Sequence, residues 1–542
     1  MSKVAQRLRI GVIILALAML LNVVAATTET SMASAETAAA SLSYPYQAMR
    51  LENVNKGWNL NILGYSNNSE VNVWPTNGES NERWRFVTAD GVYFKLINEK
   101  TDLLLSPLNW SLAEGNALVL YQDSGKDEQL WRIIGVDKDI NGDYLTYRIV
   151  NKADTNMALV LNLHTNKTMI GKYSGNTTHK WKLVSDGLVG FAGFAKDLNG
   201  VEKTGTIGGV LGKTVFVNTL AELKSALLDP NPLTVVISSN IDNANSETYD
   251  LRIASNKTII GSFAANRLTD PRLRTDDYFK VEKVSNNIII KNLDIEVKNR
   301  EDVVAIAIYG SRNVWIDHTT FNSSLPIDKD EVGKFVWVNT STYTNTDPDY
   351  VTLSYNKFYH RYWTVAFGTT SSLIRNNATV MLNYFDSCVR RTPQSGNGRL
   401  HVLNNFIQRT LPSTDDAGYA SIIGGAGAHV YSDANRFNNF RKASSGYWDT
   451  EITIDPAATV KDVGSYTNKG QNGPVATPYA LPAPNGTVTG FNPATKYSYP
   501  IIKAYSASGN DVKKFATTYT GAVSSFGGLK YIHYPEFQSY FQ

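Results

Sequence analysis

The sequence predicts an all-β chain: a closed threefold β domain, then a right-handed parallel β-helix. Three observations point there. Tryptophan closes each of three similar N-terminal segments, at Trp84, Trp131 and Trp181. Beyond residue 186, apolar residues alternate in short lines, as half-buried strands require. Those lines recur at uneven intervals of about 20 to 40 residues, which suits a solenoid whose strands stack while the loops between them vary. A β-sandwich would place its strands at tighter and steadier intervals.

The elements follow in chain order. Lys3, Arg7 and Arg9 precede an apolar run from Ile10 to Val24, and Ala33-Ser34-Ala35 supplies small residues before Glu36. The run is shorter than the ~20 residues a spanning helix wants. Residues 1–35 therefore read as a secretory signal peptide, and the mature product is expected outside the cell and free of the membrane. Residues 41–185 hold the three segments, which carry Leu60-Asn61-Ile62, Leu103-Leu104-Leu105 and Leu161-Asn162-Leu163 in turn. Their tryptophans stand 47 and 50 positions apart, the mark of one supersecondary unit used three times. Residues 186–542 form the second part. Leu220, Leu223 and Leu227 give it one short helix. Strand lines follow at Asn287–Leu293, Asn313–His318, Tyr350–Asn356, Ala378–Tyr384 and Arg399–Asn405. Asn or Asp closes most of them, placed to hydrogen-bond between coils at a bend.

Composition excludes several classes. With 19% charged and 11% aromatic residues, the chain is no disordered polymer. Its net charge is +3, too little for a broad basic field on nucleic acid. One cysteine, Cys388, excludes a disulfide scaffold or Cys-based zinc site, and Cys388 is expected in the core.

The shared ending of the three N-terminal repeats, and above all Gln129-Leu130-Trp131 in the second, resembles the ricin-B-type β-trefoil lectin family. The other repeats put Glu82 and His179 at the Gln position. The three tryptophans are expected to be core. The resemblance implies binding of plant cell-wall glycans, through Asn61 with Trp74 and Asn162 with Tyr173. The family usually has Asp where these Asn stand. The second repeat has Leu104 there and is expected to be silent.

Four motifs in the second part resemble the first family of pectate and pectin lyases: Ser255-Asn256-Lys257-Thr258-Ile259-Ile260-Gly261, Asn287–Leu293, Asn313-Val314-Trp315-Ile316-Asp317-His318, and Arg391-Thr392-Pro393 followed by Arg399–Asn405. The resemblance spans residues 186 to about 445. It implies a secreted, monomeric enzyme that opens pectic homogalacturonan by β-elimination. Such a site needs a base within reach of C5 and positive charge beside the carboxylate. The family implies Arg391 as base, with Arg390 and Lys334 as the like charges that favour its neutral form. Pro393 shapes the adjoining turn, Tyr362 and Trp363 offer aromatic faces to sugar, and Arg399 is a further substrate contact. Asp317 and His318 are expected to be structural.

Calcium is the cofactor of the pectate lyases of this family. Here its central Asp is Val304, leaving Asp302, Asp330 and Glu331 as candidate ligands. Calcium takes about 6–8 oxygens, so such a site facing Lys334 is expected to bind it poorly. The alternative is the metal-independent pectin lyase type, which the sequence also matches incompletely. Two further readings stay open. One is a binding β-helix that has lost its chemistry; the other is a hydrolase, which would need clustered Asp on neighbouring coils.

Overall fold

The structure is a computed structural model describing residues 44–541, apart from 198, 244–249, 277–283, 300–301, 326, 328–332, 342–343, 369–375, 412–417, 442–448 and 471–473. The predicted signal peptide 1–35 and the pair Asp330 and Glu331 lie outside the described residues. No described helix is long and apolar enough to cross a membrane.

Antiparallel strands from Met49 to Ser185 form the first unit. Its first strand, Met49–Asn53, pairs with its last, Trp181–Ser185, and closes the sheet. The threefold repeat is carried by hydrogen bonds. Fully buried Trp84, Trp131 and Trp181 donate their indole N–H to the carbonyls of Leu60 (2.9 Å), Leu105 (3.0 Å) and Leu159 (3.1 Å). Buried Asn53, Asn98 and Asn151 donate to Thr178, Asn81 and Glu128 carbonyls. Two residues before each tryptophan, Glu82, Gln129 and His179 accept from the loop amides of Gly78, Ser124 and Ser174. Gln, Glu and His are interchangeable there because each supplies an acceptor.

From Lys213 onward the strands stack in parallel, giving a parallel β-helix with three faces. Face A includes Lys257–Gly261, Ile288–Lys291, Arg312–Asp317, Asp349–Ser354, Asn377–Met381 and Thr459–Val463. Face B runs from Ile241–Asp242 through Asp294–Val297, Thr320–Ser323 and Lys357–Tyr359 to Tyr466–Thr467. Face C includes Leu273–Arg274, Val304–Tyr309, Lys334–Asn339, Val365–Phe367 and Thr450–Ile454. Two long strands, Gln394–Leu403 and Ala420–Asp433, cross from face C to face A without a break.

The bend from face A to face B uses one device repeatedly. A residue in the left-handed region (Tyr355, Leu382, Asn404, Ala434) precedes a fully buried asparagine or near-equivalent position at Asn356, Asn383, Asn405 and Asn435. Each Asn of the ladder passes an amide N–H to the next: Asn356 to Asn383 (3.0 Å), Asn383 to Asn405 (2.9 Å) and Asn405 to Asn435 (3.0 Å). Inside the helix, Phe321, Phe358 and Phe385 stack at 4.7 Å per step, the spacing of adjacent strands. The helix α1 (Leu220–Leu228) covers one end of this core with Leu223 and Leu227, and is started by a capping box between Thr219 and Glu222.

The tail after residue 489 folds back over the outside of face A. Tyr497 bonds Thr379 and His401 (both 2.7 Å), Ile502 N–H donates to Asn404, and Ile532 N–H to Tyr355. It contains α2 (Val512–Tyr519), whose Phe515 packs with Tyr355. Together with Phe191, Ala192, Ile207 and Gly209, whose N–H groups donate to Thr379, Thr352, Asn287 and Thr258, the tail covers face A, and face C keeps its outer surface.

The Asn ladder yields a stability prediction. Asn405→Ala would leave Val380 carbonyl and Asn383 amide groups without their buried partner, costing about 1–3 kcal/mol. Urea unfolding followed by circular dichroism should show that loss; an unchanged midpoint would mean the ladder is dispensable.

Candidate active site

One outward column of side chains climbs face C. Val304 is in register with Lys334, Trp363 bridges Arg390 on the next coil, Arg390 bridges Ala420, and Ala420 pairs with Thr450. Lys334 stands on the coil before Trp363. Successive coils are about 4.8 Å apart, so Lys334, Trp363 and Arg390 form one short file.

Arg391 follows with φ 63°, a left-handed backbone that costs a non-glycine residue free energy. The neighbouring coils hold it there: its N–H donates to Ala420 (3.2 Å) and its carbonyl accepts from Val365 (2.8 Å). Its guanidinium lies 4.1 Å from the Trp363 ring centre. Burial, with repulsion from Arg390 second, lowers the Arg391 pKa to about 10. The neutral fraction of Arg391 under alkaline conditions is thereby raised well above that of an ordinary guanidinium.

Lys334 is 9% exposed and its ammonium lies 4.6 Å from the Trp337 ring. Trp337 in turn meets Tyr309 at 6.1 Å. Below the file, fully buried Arg361 donates to the Val303 carbonyl (3.2 Å) and to Ser323 Oγ (3.4 Å). It pins the coil that carries Val304. Sequence reasoning missed both Arg361 and Trp337. Trp337 was findable as the outward position of the line Lys334–Asn339; Arg361 had no sequence signal, because its partners are carbonyls and a hydroxyl on other coils.

Arg391, Arg390, Lys334 and Trp363 are therefore brought together. Tyr362 joins them as a buried neighbour: it is 3% exposed and packs with Ile327, Val389 and Tyr419, its ring meets Trp363 at 4.7 Å, and it acts electrostatically on Arg391. The remaining expected site residues stand elsewhere. Pro393 is buried behind a cis Thr392–Pro393 bond. Arg399 lies on face A, in register with Asn377 and His429, past the bend at Gly398. A side chain at Gly398 would come within 2.5 Å of the Asn376 carbonyl. Asp317 and His318 are fully buried under the tail, where Tyr531 donates to Asp317 at 2.6 Å. Cys388 is buried in the core, and its thiol pKa is raised by burial to about 12.

The described residues do not fit a calcium ion at this file. The central position is the aliphatic Val304, Lys334 places a cation beside it, and the Asp302 carboxylate turns to Arg272 at 4.0 Å. Among the described residues no three His, Cys, Asp or Glu side chains gather into a metal-binding group.

In the first unit, the shared indole acceptors make Leu60, Leu105 and Leu159 equivalent. Asn61 therefore corresponds to Ser106 and Val160, and Asn162 is not its counterpart. Asn61 is 3% exposed, with Oδ1 held by Ile62 N–H at 2.6 Å, and faces Asn72 across the hairpin. Trp74, 54% exposed, lies opposite Asn59 instead. Asn162 closes a turn by accepting from His164 and Thr165, and Tyr173 lies under Arg148 at 5.0 Å. The second repeat presents a half-exposed aromatic pair, Trp110 against Tyr121 at 4.9 Å, with Lys126 over Trp110. Leu104 is buried and says nothing about that surface.

Comparison with known proteins identifies the families of both units. The pectate lyase family model matches residues 184–523, and the ricin-type β-trefoil lectin domain-like family matches residues 43–121 and 81–173. The chain is 28% identical over 353 residues to a pectin lyase of Bacillus subtilis, spanning 63% of this chain and 89% of that protein. It is 31% identical over 271 residues to a pectate trisaccharide-lyase of Bacillus licheniformis, spanning 47% and 72%. A solved pectate lyase from Bacillus sp. N165, in complex with trigalacturonate, shares 23% identity at TM-score 0.46, covering 62% of this chain and 99% of that one.

Proposed function

Because the chain belongs to the pectate lyase family, we propose that this polysaccharide lyase is secreted and cleaves homogalacturonan by β-elimination with Arg391 as the base. The supporting observation is the Arg391 guanidinium, lowered to about 10 beside Arg390 and set over Trp363. Neutral Arg391 takes the C5 proton of a galacturonate. The electrons move onto its carboxylate, where Lys334 and Arg390 supply positive charge. The C4–O bond then breaks, the departing oxygen takes a proton from solvent, and a 4,5-unsaturated end remains. Trp363 offers the sugar a flat apolar face. No step passes through calcium. The lectin-like unit holds polysaccharide near the cleft and raises the effective concentration of cleavable bonds.

Formation of the conjugated product, read by ultraviolet absorbance on polygalacturonate and on methylated pectin, tests this reading. Arg391→Ala should lower kcat about 10²–10⁴-fold, the scale of one general base. No product from the intact protein on either substrate would overturn the proposal. The rate should climb with pH up to about 10, as Arg391 loses its proton. Arg390→Gln removes a like charge, which favours protonated Arg391. Its alkaline rise should therefore move to higher pH and its rate near pH 8 should fall.

Chelation should leave the rate within about twofold, while Lys334→Ala should cost about tenfold or more, as loss of one charge-stabilising group does. A rate abolished by chelator and restored by calcium would show that Lys334 does not stand in for the metal.

A further inference from the structure

A second cavity lies away from face C, between the lectin-like unit and the tail of the β-helix. Its volume is about 630 Å³, within the range of pockets that enclose small-molecule ligands. Both units build it: Tyr46, Gly78, Arg83 and Lys100 come from one side, Lys291 and the stretch 526–536 from the other. The wall between them is fixed by Asp186, fully buried, which meets Arg50 (3.2 Å), Arg83 (3.8 Å), His533 (3.0 Å) and Tyr534 (3.1 Å). The cavity is therefore a product of the junction and belongs to neither unit alone.

Its chemistry is specific. Tyr46, Phe526, Tyr531 and Tyr534 give it aromatic surface, and Tyr46 meets Phe526 at 5.5 Å. Two cations that line it are more than nine-tenths buried, Arg83 at 8% and Lys291 at 2% exposure. Those cations already face carboxylates: Arg83 bonds Glu99 at 3.0 Å and Lys291 lies 3.6 Å from Asp317. At the rim Lys530 pairs with Glu536 at 2.8 Å. An anionic ligand would have to displace these partners. A neutral ligand rich in hydroxyls would instead find donors and acceptors side by side over aromatic rings, each hydroxyl being able to give one hydrogen bond and accept others.

We propose that this junction cavity binds a short neutral oligosaccharide, separately from the lyase cleft and from the exposed aromatic residues of the lectin-like hairpins. The site holds the two units in one orientation while it engages uncharged sugar of the same polysaccharide matrix.

Calorimetry on Arg391→Ala protein tests this without turnover, so the outcome is independent of the lyase reading. The probes are cellobiose and β-1,4-galactobiose as neutral disaccharides and digalacturonate as the anionic one. At least one neutral probe should bind. Gly527→Trp, a position where an added Cβ meets nothing within 4 Å, should fill the cavity and weaken that binding about tenfold, a 1.4 kcal/mol change. Glu79 lines the cavity with an exposed carboxylate, so Glu79→Ala, which removes a hydrogen-bond acceptor without adding bulk, should weaken that binding as well and serves if the Trp variant fails to fold. The Trp74→Ala, Trp110→Ala double variant should bind as before. Absence of any neutral binding, binding indifferent to both cavity variants, or tighter binding of digalacturonate at a site that Gly527→Trp blocks would each overturn the proposal.

Discussion

The stacking of coils in strict register is the constraint on which the rest depends. Each strand of the β-helix satisfies its backbone only through the coils above and below it. The weak point is the bend from face A to face B, where the ladder breaks. The Asn356–Asn383–Asn405–Asn435 chain of amides restores it there, each side chain serving two coils. With the bends held, the phenylalanine stack inside and the cation file outside fall at the same repeat. Lys334, Trp363 and Arg390 meet because they occupy one position on successive coils, although the chain separates them by whole turns.

The covering of face A leaves face C as the place for the candidate site. Face A carries the most recognisable motif lines, yet its outer surface is closed by the tail together with residues 191–192 and 207–209, which bond Thr379, Thr352, Asn287 and Thr258, and Asp317 and His318 are consumed in packing beneath Tyr531. Face C retains an open outer surface, and the left-handed Arg391 turns a strongly basic side chain over Trp363 there. The low guanidinium pKa follows from the same placement. Partial burial removes hydration from the charge, and Arg390 adds repulsion. Lys257, equally prominent in its motif, ends instead on the carbonyls of Asp229, Asn231 and Ser255. A motif lysine can thus serve the backbone alone.

Much of the fold was legible because it rests on local or repeated signals. The three tryptophans, the alternating lines and the closing asparagines each reflect a requirement renewed in every repeat. The proposed base Arg391, its two charged neighbours and Trp363 were singled out through their motif and the departures from it. The differences from expectation come from register and from strand continuity. Tyr362 and Trp363 are adjacent, and the turn they share buries the first and leaves the second partly open. Arg399 was assigned to the site through its motif, but a continuous strand carries it past Gly398 onto another face. Asn61 and Asn162 looked equivalent because a repeat with insertions has no fixed origin; the indole hydrogen bonds supply that origin.

The sequence by itself determined the two-part all-β architecture, the repeat in each part and the identity of the basic group beside Pro393, since these depend on periodicity and on residue types kept close along the chain. Tertiary structure decided which side of each strand meets solvent, which face the tail covers, how far the Arg391 charge is desolvated, and that a cavity lined from Tyr46 to Glu536 exists at all. Those features arise from groups distant in sequence, and only the closure of coils and the docking of the tail sets the distances between them.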